Sequence, residues 1–145
     1  MSTRGLLVFR FHGRDYVTYN HHDSYPKGLG AWVVRFAELF LTSEAAIEAF
    51  GRKIEALEWV DDFRNRAVTR LQGRDLLAGI VRGEVRRVAR ENHLFTFGGD
   101  REFAYVLDLD AGILEFWDLP DRVRTYPLYH LSSCAVDVME CERRR

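Results

Sequence analysis

Cysteine is almost missing from this chain: Cys134 and Cys141 stand near one end, in no C-x-x-C arrangement. That scarcity excludes a disulfide framework and a four-ligand structural zinc site. An excess of either charge is missing too, since 21 Lys and Arg face 22 Asp and Glu, for a formal charge of −1. No global field therefore draws nucleic acid or an anionic membrane, and neither is expected as a partner. No apolar run approaches the ~20 residues needed to span a bilayer. The first residues lack the charged-then-apolar pattern of a secretory signal. A reducing, cytoplasmic setting is the expectation.

What is present suits one folded domain. At 145 residues, with 47% apolar and 30% charged, the chain is long enough for a real core and reads as soluble and globular. No internal repeat or dividing linker is visible, so residues 1–145 are read as a single domain. Arginine is unevenly placed, clustering between Arg64 and Arg101 and again at Arg143-Arg144-Arg145. The first cluster reads as a solvated helix face, and residues 143–145 as a disordered tail.

Leu6 to His12 and Tyr16 to His21 are β-rich runs. A Gly13-Arg14 loop between them suits a type II′ turn, which wants Gly at its first central position. Counting outward pairs Phe11 with Tyr16, Phe9 with Thr18 and Leu7 with Asn20, and sets Val8 against Tyr19 and Arg10 against Val17. Both faces are largely apolar, which places the hairpin in a sheet covered on both sides. The same count sets Arg4 opposite Asp23 and Ser2 opposite Tyr25.

From Leu29 the spacing turns helical: Leu29, Trp32, Val33, Phe36, Ala37 and Phe40. A helix so apolar should be mostly buried. Thr42-Ser43-Glu44 reads as a cap, followed by a helix with Ile47, Phe50, Ile54 and Leu57 on one stripe. Trp59 to Gly73 has no clear pattern. Arg74 to Glu91 reads as a basic amphipathic helix with Leu77, Ile80, Val81, Val85 and Val88 inward, against the grain of Gly79 and Gly83. After Gly98-Gly99-Asp100, Phe103 to Leu109 alternates as a strand. Asp110-Ala111-Gly112 forms a turn and Ile113 to Trp117 returns. Arg122 to Leu131 is an edge strand limited by Pro127. Hairpin, helices, hairpin is an α+β order: a hairpin-rich antiparallel sheet with one buried helix and amphipathic partners.

The densest polar stretch runs from Tyr19 to Gly30, Tyr-Asn-His-His-Asp-Ser-Tyr-Pro-Lys-Gly-Leu-Gly. As a metal site it fares badly. His21 and His22 are neighbours and point to opposite strand faces, and His12, His93 and His130 have no spacing relation to them. No metal and no cofactor is assigned. As an anion site it fares better, because Lys27, Gly28 and Gly30 sit where a helix begins and offer backbone N–H groups and a helix dipole. Gly-Leu-Gly is neither a Walker A loop nor a dinucleotide fingerprint. Asp23-Ser24 also resembles the turn after the second strand of N-terminal-nucleophile hydrolases, class II glutamine amidotransferase domains among them. That resemblance implies Ser2 as nucleophile once Met1 is removed, although those domains usually carry Cys there. Against all three stands a bland alternative: Asn20, Asp23 and Ser24 are good turn formers and caps, and an Arg4–Asp23 pair would tie the terminus down. Asp108-Leu109-Asp110 is explained by its turn without an ion.

The Ser2-Thr3-Arg4-Gly5 opening, the Tyr19–Gly30 stretch and Phe103 to Asp110 resemble a group of small uncharacterised bacterial and phage proteins. These begin Met-x-Thr-Arg-Gly and share Tyr-Asn-His-x-Asp-Ser-Tyr-Pro-x-Gly-Leu-Gly. The resemblance implies that the polar stretch is functional but brings no activity. The expected site is a small-ligand or hydrolase-like pocket where the start of the chain meets residues 20–30. Ser2, His22 and Asp23 are its candidate catalytic residues, and Arg4, Asn20, Ser24, Tyr25, Lys27, Gly28 and Gly30 would bind a small anionic or amide ligand. The alternative is a non-catalytic interaction module that meets a protein partner through a basic helix around residues 82–90.

Overall fold

In the computed structural model, residues 3–61, 67–91 and 101–143 are described. Ser2, Arg64, His93, Gly98-Gly99-Asp100, Arg144 and Arg145, all singled out above, lie outside that set. The described chain is α+β, with four α-helices, a mixed five-stranded sheet and a small two-stranded one. The large sheet runs β2-β1-β5-β6-β7, built from β1 (Arg4–Phe11), β2 (Arg14–Asn20), β5 (Arg101–Asp108), β6 (Ile113–Asp118) and β7 (Asp121–Pro127). β1 and β5 are parallel; every other neighbouring pair is antiparallel. The small sheet pairs β3 (Glu58–Val60) in parallel with β4 (Arg87–Ala89).

Strand alternation sorts the core. Leu7, Phe9, Phe11, Tyr105, Leu107 and Phe116 join the main cluster with the helices, whereas Leu6, Val8, Val17, Ala104 and Val106 form a second cluster. Phe9, Tyr105 and Phe116 are fully enclosed, and burying one such side chain is worth about 1.5–3 kcal/mol. The two-sided burial expected of the first hairpin is therefore present.

Its register differs from the count made on sequence. The observed pairs are Phe11 with Arg14, Phe9 with Tyr16, Leu7 with Thr18 and Gly5 with Asn20. The turn is centred on His12 and Gly13, with φ of 51° and 74°, as a type I′ turn demands. The Asp110 carboxylate accepts from both His12 N (2.7 Å) and Gly13 N (2.9 Å) and holds that backbone in place. The shift is two residues along the partner strand, so every side chain keeps its face. What changes is the far end: Arg4 comes alongside His21 instead of Asp23.

The helical layer also departs from expectation in two places. A π-helical turn, Pro26–Gly30, leads into α1 (Ala31–Phe40). α1 buries Val33, Val34, Phe36 and Ala37 but leaves Trp32, Leu39 and Phe40 exposed, so only one side of it meets the core. Ser43 caps α2 (Glu44–Ala56) by accepting from Ala46 N at 3.1 Å. α3 (Gly73–Arg82) stops at Gly83, where φ is 74° and Glu84 N donates back to Gly79 O. This left-handed closure overrides the helical spacing. Val85 and Val88 are buried as expected, but from β4 and its approach. The basic helix around residues 82–90 is therefore not formed. α4 (Cys134–Glu142) closes the chain against β7, and Arg143 is tied down by Glu140 (2.7 Å) and by the Phe103 ring.

Candidate functional site

The polar stretch divides into an inward half and an outward half. Strand alternation sorts only Tyr19 from Asn20, because β2 ends there; His21 and His22, expected on opposite faces, line one cavity with their ring centres 4.4 Å apart. Asn20, the last residue of β2, points to the helix side. Its Nδ2 donates to His22 O at 2.7 Å and to Ser24 Oγ at 2.8 Å. Ser24 is fully enclosed; its N–H donates to Thr3 O (3.0 Å), and its carbonyl accepts from the Tyr105 hydroxyl at 2.8 Å. Burial pushes the Tyr105 phenol well above its ordinary range, which keeps it protonated as that donor. The start of the chain does lie against the stretch, through Thr3.

The glycines serve the same closed turn. Gly28 N and Gly30 N donate to Tyr25 O, and Leu29 N donates to Asp23 O at 2.7 Å. A Cβ on Gly28 would sit 2.1 Å from that Asp23 oxygen, and one on Gly30 would press on the Tyr105 ring at 3.0 Å. These N–H groups are spent inside the fold and are not aimed at an anion. Asp23 takes a left-handed conformation (φ 53°) with its side chain exposed, and Lys27 is likewise exposed. Of Arg4, His22, Asp23 and Tyr25, His22 alone lines the cavity at the β2 edge of the sheet.

The outward half faces a cavity of about 820 Å³ at the β2 edge of the sheet. Tyr19, His21 and His22 line it from the polar stretch, together with Asp61, Arg70, Gln72, Arg90, Glu91 and Arg101. Val68, Leu71, Leu76 and Val88 supply apolar wall. None of Arg4, Asp23, Tyr25, Lys27, Gly28 or Gly30 is in the lining.

One bonded chain organises this wall. Arg101 pairs with Glu91 at 2.6 Å and lies over the Tyr19 ring at 5.2 Å. Tyr19 Oη is 2.9 Å from His21 Nδ1, and the His21 N–H donates to Gln72 Oε1 at 2.8 Å. Desolvation first, then the neighbouring His22 and Arg4 charges, hold the His21 imidazole below its usual pKa. In the neutral tautomer whose Nδ1 accepts the Tyr19 proton, Nε2 is left as a donor. Gln72, with its oxygen occupied, has two amide protons left to give. Among the described residues, Arg70 and Arg90 have no carboxylate partner.

The chemistry of this wall is donor-rich. Among the described residues, two guanidiniums and the Asp61 carboxylate without ion-pair partners share the cavity with the Gln72 amide, the His21 ring and the apolar wall. Among the described residues no group of three or more His, Cys, Asp or Glu side chains is placed to hold a metal. Tyr19, His21 and His22 were visible in sequence as a polar cluster. Arg70, Gln72, Arg90, Glu91 and Arg101 were not. Their only signal was the arginine-rich stretch from Arg64 to Arg101, which a helical reading turned into a solvated face. Comparison with family models, curated proteins and solved structures found no match for this chain.

Proposed function

We propose that this protein binds a small anionic ligand in the cavity at the β2 edge. The observation that carries the reading is the pair of guanidiniums, Arg70 and Arg90, which among the described residues have no carboxylate partner and line the same cavity as the Gln72 amide and the His21 ring. Arginine forks match carboxylate and phosphate oxygens, and two of them in one concavity need a counter-charge. Val68, Leu71, Leu76 and Val88 fit an apolar or planar ligand body, and the volume is within the range of small-molecule sites. The function is therefore recognition, with the outward half of the polar stretch as its orienting edge. Its inward half, hydrogen-bonded to Thr3 O, is the brace.

The test is a thermal-shift and calorimetric screen of inorganic phosphate, dicarboxylates and nucleoside monophosphates. A ligand at one hundred times its Kd stabilises by about 2.7 kcal/mol. Binding weakened about tenfold in Arg90→Ala and in Arg70→Ala, but kept in Asp23→Ala, supports the cavity. Binding lost in Asp23→Ala and kept in both arginine variants moves the site back to residues 23–30 and overturns this reading.

A further inference from the structure

α1 presents an apolar stripe to solvent. Trp32 and Leu39 lie at i and i+7, with Phe40 beside them; Trp32 is 45%, Leu39 58% and Phe40 45% exposed. Scattered surface apolar residues need no explanation, but one helix carrying three large ones does. We propose that this face is an interface between two copies of the chain, packed with their α1 helices antiparallel.

The stripe is complementary to itself. Arg35 and Glu38 fall on the same flank of it, and among the described residues neither has an ion-pair partner. A two-fold axis crossing the middle of α1 at right angles reverses the helix but sets each flank against the same flank of the second copy. Trp32 then meets Leu39 of the second copy, and Arg35 meets its Glu38. Symmetry makes each pair twice, as an isologous contact requires. A parallel arrangement would set opposite flanks together and leave both charges without partners. The Arg74 guanidinium lies 4.5 Å from the Trp32 ring centre and holds the indole in place before docking. Such preordering lowers the entropic cost of association. One ten-residue helix gives a small contact, at the weak end of dimer interfaces.

The experiment is sedimentation equilibrium on the full chain over a concentration series reaching high micromolar, with thermal melts to verify that each variant is folded. Reversible dimerisation is expected, abolished in Leu39→Glu and weakened at least about tenfold in Arg35→Glu. The double variant Arg35→Glu/Glu38→Arg should regain the wild-type constant, an outcome that lost apolar area alone cannot produce. A monomer throughout the series overturns the proposal, as does a dimer unmoved by Leu39→Glu. So does a charge swap that fails to restore association. Monomeric wild type that binds a synthetic Glu/Leu amphipathic helix on this face would assign the stripe to a foreign partner instead.

Discussion

The inward and outward halves of the Tyr19–Gly30 stretch are made from the same kinds of residue and do opposite things. Asn20, Ser24, Gly28 and Gly30 use their polar groups on one another and on Thr3, Tyr25 and Tyr105. Tyr19, His21 and His22 turn theirs toward a cavity. Polar density in a sequence thus marks two different needs. One is the satisfaction of a buried turn, where an unpaired group costs more than a paired one gains. The other is a polar surface turned toward a cavity.

Substitutions can break that contrast. The largest effect is expected for Gly28→Ala, whose Cβ would stand 2.1 Å from the Asp23 carbonyl oxygen. Chemical denaturation should show a loss above about 3 kcal/mol, the tail of the mutational distribution. An unchanged midpoint would mean that the turn is soft. Asn20→Ala comes next, because it strips a donor from His22 O and from the enclosed Ser24 hydroxyl. About 2–3 kcal/mol should be lost, with ligand affinity following only through the unfolded fraction.

The outward half should answer in the opposite sense. Arg90→Ala is expected to leave stability within about 0.5 kcal/mol and to weaken anion binding about tenfold, or 1.4 kcal/mol. Calorimetry beside a melt separates the two, and a destabilised Arg90→Ala would put this arginine with the brace.

The smallest effect is a pH dependence. His21 holds its proton less well when folded than its ordinary value of about 6.5, so the unfolded chain binds more protons in that window. Stability from this group is present above pH ~6.5 and declines as pH falls through that value. His21→Gln should flatten that part of the profile, and a slope that survives the substitution would assign it elsewhere.

The α+β order was legible because long alternating or helical runs dominate: Phe103 to Leu109, Ile47 to Ile54 and Leu29 to Phe40 declare themselves by period. Positions settled by contacts distant in sequence were not. Asp110 fixes the first turn, and the αL closure at Gly83 ends α3 inside a run whose apolar spacing continues through Val88. Val85 and Val88 were rightly read as inward, yet from the wrong element. The site divided likewise. Strand alternation already separated Tyr19 from Asn20. Arg70, Gln72 and Arg90 come from segments far from β2 in sequence and meet it where the chain after β4 returns beside β2, Glu91 N donating to Val17 O at 2.9 Å; Arg101 comes from the start of β5.

The Asp110 clasp also makes a local turn depend on a distant segment. β1 sits between β2 and β5, and the carboxylate that locks the β1–β2 turn belongs to the hairpin of the last third. The contact that clasps this local turn therefore spans 98 and 97 positions of sequence, a pairing of the high-contact-order kind. An N-terminal fragment ending before β5 would hold the complete polar stretch and still lack the anchor that sets its register.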